Sequence, residues 1–125
     1  DVRDELAARI DGLLAQGVEL EQIIIDPGLG FAKTPMHNWE ILHDFKVFKD
    51  LGRPILVGAS RKRFIGERLA AEGADRALDE RDNATIALSA LVAHAGAWCV
   101  RVHEVLGNRD AVEVVSAWQS GKQEP

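Results

Sequence analysis

The sequence predicts an α/β fold built on a parallel sheet, and more narrowly a stretch of a (β/α)8 TIM barrel. Two observations carry the class. Helical and strand-like segments alternate in the order α-β-α-β-α-β-α, and each strand-like run is short and largely apolar, as in strands covered on both faces. A third observation narrows it. Three parallel strands make a thin sheet with two unpaired edges, whereas a full barrel takes roughly 250 residues, so three units plus a leading helix fit its last part. The chain has 125 residues, begins at Asp1 and holds its single methionine at position 36. Residues 1–125 are therefore expected to be the C-terminal part of one barrel domain, supplying the last three strands with flanking helices. A self-contained three-stranded domain is the alternative.

Each element has its own signal. The leading helix is expected over Val2–Ala15, where Val2, Leu6, Ile10, Leu13 and Leu14 share a side and Gly17 ends the run. Ile23-Ile24-Ile25-Asp26 reads as the first strand, stopped by Pro27-Gly28. A glycine-bearing loop, residues 27–33, leads to Thr34-Pro35, an N-cap followed by proline at the first helical position. That helix carries Ile41, Leu42, Phe45 and Phe48 inward and stops at Gly52. Residues 54–59 form the second strand, and Ser60 is expected to cap the helix that buries Phe64, Ile65 and Leu69. Residues 72–81 are charged and loop-like. Asp82 or Asn83 opens an alanine-rich helix to Ala95, ended by Gly96. Residues 98–103 are the third strand, and Asn108 is expected to cap a last helix through Trp118, with a frayed tail after Ser120.

Composition excludes several function classes. With 15 Lys+Arg against 20 Asp+Glu the net charge is -5, which offers no field for nucleic-acid phosphates or an anionic membrane. Hydrophobic residues make up 46%, enough for a folded core. One cysteine, Cys99, excludes an intrachain disulfide and a multi-cysteine zinc site. The four histidines lack metal-ligand spacing, so no metal site is expected in this chain. No apolar run approaches the ~20 residues of a membrane helix and no signal peptide opens the sequence, so a cytoplasmic protein is expected.

In parallel α/β folds, sites form where strands deliver polar residues at their C-terminal ends. Asp26 ends the first strand, Ser60-Arg61-Lys62-Arg63 follows the second, and Arg101 and His103 end the third. Parity places Ile24 with Asp26 on one face, and Arg101 and His103 with Cys99 opposite Val100 and Val102. Each feature also has a plainer account. Asp26-Pro27-Gly28 is a common turn initiator, and Gly30-Phe31 could be loop packing. Arg61, Lys62 and Arg63 could be a solvated helix start, although three cations there oppose the helix dipole and a bound anion would relieve them. Arg101 and His103 could pair with Asp26 in a purely structural network. His37, His43 and His94 read as surface or helix-packing residues, Cys99 as a small core residue, and Trp39 and Trp118 as core or interface. Taken as a site, one carboxylate suits an N–H-rich heterocycle and the cations suit a phosphate or carboxylate.

Four motifs then carry a resemblance over nearly the whole chain. Asp26-Pro27-Gly28-Leu29-Gly30-Phe31-Ala32-Lys33-Thr34, Gly58-Ala59-Ser60-Arg61-Lys62-Arg63-Phe64-Ile65-Gly66, Arg81-Asp82-Asn83-Ala84-Thr85 and Val100-Arg101-Val102-His103 resemble, in that order, the C-terminal part of the dihydropteroate synthase family, most closely its actinobacterial members. The resemblance implies a pterin-binding TIM barrel of folate synthesis, a transferase joining 6-hydroxymethyl-7,8-dihydropterin diphosphate to p-aminobenzoate with release of pyrophosphate. It implies that magnesium assists that departure, held by the substrate diphosphate and by the N-terminal part of the barrel rather than by this chain. It also implies inhibition by sulfonamides at the aminobenzoate pocket and a homodimer through the late helices. Carried over by motif, Asp26 would hold the pterin edge. Lys62 would contact the pterin ring and, with Phe31, shape the aminobenzoate pocket, and Gly30 counts among the substrate-binding residues. Ser60 is likewise an implied substrate-binding residue, and Arg101 and His103 would bind the diphosphate, Arg101 also stacking on the pterin. Arg63 stands where some members carry serine near the aminobenzoate carboxylate. Lys62, Arg101 and His103 are the implied catalytic groups. The family's N-terminal strands and the polar residues on them have no counterpart here, so the chain alone is expected to be inactive. A related pterin-binding methyltransferase, an inactive paralogue and a dimerisation fragment are the competing readings.

Overall fold

A computed structural model describes residues 2–31, 34–70 and 76–121. Ala32 and Lys33 of the first loop, the start of the 72–81 loop and the tail 122–125 lie outside the described residues. The leading helix α1 spans Val2–Ala15, with Asp4 and Glu5 favourably placed in its first turn. It docks through a narrower stripe than expected: Val2, Leu6 and Ile10 reach the core while Leu13 and Leu14 stay about 40% exposed. A 3-10 turn, Leu20–Gln22, leads into the first row of the sheet.

That row is the main departure from expectation. Instead of a strand over Ile23 to Asp26, there is one parallel bridge, Ile25 to Ile55. Ile25 N donates to Pro54 O (2.9 Å) and Leu56 N to Ile25 O (2.8 Å). The next rungs of a parallel ladder would need the N–H of Pro27 on one side and of Pro54 on the other, and neither exists. The Arg53 Nε–H stands in at the upstream end, donating to Ile23 O at 3.0 Å. The alternation still holds: Ile23 and Ile25 are buried, while Ile24 and Asp26 are exposed on the other face.

Two short strands complete the sheet. β1 (Leu56–Val57) and β2 (Cys99–Val100) pair in parallel, Leu56 opposite Cys99 and Val57 opposite Val100. Trp98 N to Ile55 O (2.9 Å) and Arg101 N to Val57 O (3.0 Å) extend the contact at both ends. The strands expected over 54–59 and 98–103 are therefore reduced to two residues each, with the bridge at Ile55 and these flanking bonds beside them.

Helices connect the rows. α2 (Pro35–His43) opens as expected, Thr34 accepting from His37 N at 3.3 Å and Pro35 at the first position. The single helix expected to Gly52 breaks at Asp44 (φ -99°, ψ 31°), and α3 (Lys46–Lys49) follows. Asp44 is a poor interior helix residue and turns its carboxylate to the His43 ring at 2.9 Å. α4 (Arg63–Leu69) buries Phe64 and Ile65, and Trp39 meets Phe64 edge-on at 5.1 Å. α5 (Asp82–His94) and α6 (Val105–Ser120) pack on each other.

Asn108 does not cap α6. Glu104 does, accepting from Gly107 N at 2.8 Å, and α6 runs on to Gly121. Asn108 is instead buried inside the helix pair, where it accepts from Ser89 Oγ and its Nδ2 donates to Glu104 O, both at 2.6 Å. The core joins Ile23, Ile25, Ile55 and Val57 of the rows to Ile41, Phe45, Phe48, Phe64, Ile65 and Val92 of the helices. Trp39 packs against that core, but Trp118 is 78% exposed. No helix among the described residues is long and apolar enough to cross a membrane.

Candidate functional site

The three rows are parallel, so their C-terminal ends lie at one edge of the sheet, and every polar residue singled out above leaves from there. Asp26 is exposed and uses Oδ1 to accept from Gly28 N at 2.8 Å. This is the local turn that Asp-Pro-Gly favours. It tightens the loop so that Pro27 and Leu29 are buried beneath it while Gly30 and Phe31 stand outward. Asn38 of α2, missed in the sequence, holds this loop from behind. It is 1% exposed, its Oδ1 accepts from Gly30 N at 2.9 Å and its Nδ2 donates to Thr34 O at 3.2 Å. Its position on the inward face of an otherwise apolar helix stripe was the signal available.

Lys62 lies directly on that loop. Its Cδ is 2.9 Å from where a Cβ on Gly30 would stand, so only glycine permits the approach, and Gly30 also has φ +83°. The ammonium sits 4.1 Å from the centroid of the Phe31 ring, a cation–π contact that is 58% open at Phe31. Gly30, Phe31 and Lys62 thus form one contact group drawn from two loops.

Ser60 does not cap α4; the N-cap is Lys62, without a side-chain bond. Ser60 is buried and reaches across the sheet instead. Its Oγ accepts from His103 N at 3.0 Å and lies 2.8 Å from His103 Nδ1. The hydroxyl thus engages both the backbone and the Nδ1 side of His103, which fixes how the ring is turned. The third row also bears Arg101, whose Nη2 is 2.8 Å from where a Cβ on Gly58 would stand. Glycine at 58 lets the guanidinium approach the second row this closely. Both Arg101 and His103 are exposed while Val100 and Val102 are partly buried, as parity required.

The cation cluster resolves into unlike parts. Arg63 alone lies in the first turn of α4 and is exposed. Arg61 makes a bidentate ion pair with Asp82, at 2.9 and 3.0 Å, with side chains 28% and 16% exposed. This pairing holds the Asp82 carboxyl below its ordinary range through the hydrogen bond from Arg61, against the opposing effect of burial, and raises Arg61 in turn. An anion is therefore not required to neutralise Arg61. No ion pair among the described residues joins Asp26 to Arg101 or His103, so the structural-network account of those residues has no bond behind it. Cys99 is partly buried and donates only weakly, Sγ to Val100 O at 3.7 Å. Among the described residues there is no group of three or more His, Cys, Asp or Glu that could hold a metal ion.

One edge thus presents a carboxylate, a lysine over an aromatic ring, and an Arg–His pair, which is the donor set for an N–H-rich ring joined to an anion. Comparison with known proteins agrees with this chemistry. The pterin-binding enzyme family matches residues 1–103. The dihydropteroate synthase of Mycobacterium leprae is 52% identical over 119 residues, 94% of this chain and 42% of the relative. That of Streptococcus pyogenes serotype M6 is 44% identical over 116 residues, again 42% of the relative. The chain thus spans well under half the length of these relatives. In structure it is similar to Yersinia pestis dihydropteroate synthase solved with a sulfonamide drug (TM-score 0.88, 30% identity, 98% of this chain and 43% of that one). It is also similar to the Xanthomonas albilineans enzyme in complex with 7,8-dihydropteroate (TM-score 0.84, 33% identity, 99% and 46%). The three parallel rows and their helices are part of a TIM barrel. The chain belongs to the pterin-binding enzyme family, within which it aligns with the dihydropteroate synthases.

Proposed function

We propose that this chain is the C-terminal part of a dihydropteroate synthase barrel, its last three strands with flanking helices, and forms one wall of that enzyme's site. The observation that carries the reading is the convergence of Asp26, Lys62 on Gly30 and Phe31, and the Arg101–His103 pair at one sheet edge. The Asp26 carboxylate accepts parallel N–H bonds from the aminopyrimidinone edge of a dihydropterin and so fixes its orientation. Arg101 and the His103 ring take the diphosphate. In the reaction the C–O bond between the pterin methylene and the diphosphate breaks, and the p-aminobenzoate nitrogen forms the new C–N bond and loses a proton. The leaving group departs as pyrophosphate, so the work of the cations is to stabilise that anion and to hold the amine in line. Lys62 stands between the pockets, its stem on Gly30 and its ammonium over Phe31. Ser60 serves by orienting His103, and Arg63, exposed at the start of α4, is assigned to the aminobenzoate carboxylate.

The chain's own side chains do not fit a magnesium ion, for want of a carboxylate or histidine cluster among the described residues. Magnesium is accordingly assigned to the substrate diphosphate and to ligands outside this sequence. Sulfonamides are proposed to compete at the Phe31 and Lys62 pocket. A cytoplasmic homodimer completes the reading. The dimer part of the proposal is supported by the apolar side chains that α5 and α6 leave outward, among them Leu91 (66% exposed), Leu106 (67%) and Trp118 (78%).

The test is a hybrid barrel in which this chain replaces the aligned segment of a related synthase. It is expected to make 7,8-dihydropteroate and to lose turnover on Lys62→Ala, while the isolated chain makes none. A folded hybrid with no turnover, or steady turnover by the isolated chain, would overturn the proposal.

A further inference from the structure

We propose that Arg61 is a positioning residue: its left-handed backbone, locked by Asp82, sets the turn that aims Lys62 at Phe31. The inference rests on the reading of Lys62 as a substrate-site group only for its consequence in catalysis, not for its geometry.

Arg61 has φ +58°, the one non-glycine residue with positive φ among those described. Lys62 N donates to Ala59 O at 3.1 Å, closing a four-residue turn with Arg61 in its third position. With φ positive there and not at Ser60, the turn is type II, whose third position is glycine's by preference. A long side chain persists in such a conformation only when its surroundings over-determine it.

They do so here. Arg61 N donates to Thr85 Oγ1 at 3.3 Å, Arg61 O accepts from Arg81 Nη1 at 2.8 Å, and the guanidinium is gripped by Asp82. All three anchors come from residues 81–85, at the start of α5. They are themselves tied together, since Thr85 Oγ1 donates to Arg81 O at 2.9 Å. Arg81 reaches Arg61 by passing over Gly66, where a Cβ would stand 2.5 Å from its Nε.

Lys62 is the last residue of this turn. It takes no cap bond of its own in opening α4, so its direction is inherited from the residue before it. The left-handed step delivers its stem onto Gly30 and its ammonium over Phe31. Arg61, though a cation beside a proposed anion site, spends its charge within the chain.

The contrast between Arg61→Gly and Arg61→Ala tests this, because glycine keeps the turn without the side chain and alanine keeps neither the ion pair nor easy access to positive φ. In the full chain, proton NMR reads the position of Lys62 directly, since the Phe31 ring current moves its δ and ε methylene resonances upfield. That shift is expected in the parent and in Arg61→Gly, to be lost in Arg61→Ala and Asp82→Asn, and to vanish in Phe31→Leu, which calibrates it. Retention of the full shift in Arg61→Ala, or its complete loss in Arg61→Gly, overturns the proposal. In the hybrid synthase, Arg61→Ala is expected to raise KM for the pterin diphosphate at least about 10-fold and Arg61→Gly several-fold less. Lys62→Ala should add little once Arg61→Ala is present. Equal KM effects of the two Arg61 variants would mean that the guanidinium touches the anion, against the proposal. If Lys62→Ala alone changes neither KM nor kcat, the functional assignment of Lys62 fails, while the ring-current result still decides the role of Arg61.

Discussion

Asn38 offers the sharpest quantitative test of how the site is held. It is 1% exposed and ties Gly30 N (2.9 Å) and Thr34 O (3.2 Å) together through its one carboxamide. Asn38→Ala removes both bonds, each contributing about 1 kcal/mol net, and leaves a small cavity costing about 1 kcal/mol more. Thr34 O keeps a second partner in Asn38 N at 3.2 Å, and Gly30 is exposed enough for water to reach its amide, so neither group is left as a buried orphan. The expected loss is therefore about 2–3 kcal/mol rather than the 4–5 of two orphaned groups, or roughly a 30- to 150-fold shift toward the unfolded state. Asn38→Asp separates the two bonds. It keeps the acceptor for Gly30 but sets a carboxylate oxygen against Thr34 O, and burial raises its folded pKa. Its destabilisation is thus largest at neutral pH and shrinks as acid restores a donor. Urea unfolding followed by far-UV circular dichroism at matched protein concentration measures both. If Asn38→Ala lies within about 0.5 kcal/mol of the parent, the loop is held by something other than this carboxamide.

Three further outcomes are expected. Because the folded chain holds Asp82 below its ordinary value near 3.8, the ion pair's stabilisation is fully present above that value and is lost as pH falls through the lower folded value. The gap between parent and Asp82→Asn in thermal unfolding should therefore be constant near neutrality and close only below about pH 3.8. Asn108→Leu strands Ser89 Oγ and Glu104 O in the buried α5–α6 seam and should cost about 2–4 kcal/mol, but less when combined with Ser89→Ala, as a double-mutant cycle in urea would show. Gly58→Ala puts a methyl 2.8 Å from Arg101 Nη2, the far end of a flexible side chain, so unfolding should move by under about 1 kcal/mol while calorimetry with pterin diphosphate shows weakened binding in the hybrid barrel.

The order of elements was legible because period and punctuation are local: Thr34-Pro35 opens α2 and the left-handed Gly17, Gly52 and Gly96 follow helices. The parity was legible for the same reason, Ile24 sharing a face with Asp26 and Arg101 with His103. Strand length was not, because it depends on which amide meets which carbonyl on a neighbouring row, and only the register shows that Pro27 and Pro54 fall on the rungs. Ser60 and Asn108 were misassigned for a second physical reason. The chemistry that makes serine and asparagine good helix caps also makes them good partners for distant buried groups. The competing partners, His103 for Ser60 and Ser89 for Asn108, lie 43 and 19 residues away, beyond any local pattern. Arg61 is the same case with charge, its partner Asp82 being 21 residues on.

These long-range bonds share a direction. The loop after the first row is held by Asn38 of the helix that follows it, and the loop after the second by Asp82, Thr85 and Arg81 at the head of the next. The end of the third row is held by Ser60 of the second. Each site loop is therefore anchored from the helical side or from its neighbour, by groups wholly within this chain. Nothing in that scaffold needs a ligand to define it, which is the condition for placing charges with little reorganisation on binding. The side chains left exposed are the complementary set: Asp26, Phe31, Arg101, His103 and the apolar Ile24, 48% open beside Asp26. Ile24 and Asp26 share one face of the first row. In a TIM barrel that face is the interior, where side chains from other strands pack. On the proposed reading, Ile24 lies on the inner face of the barrel and the polar groups beyond it line the mouth.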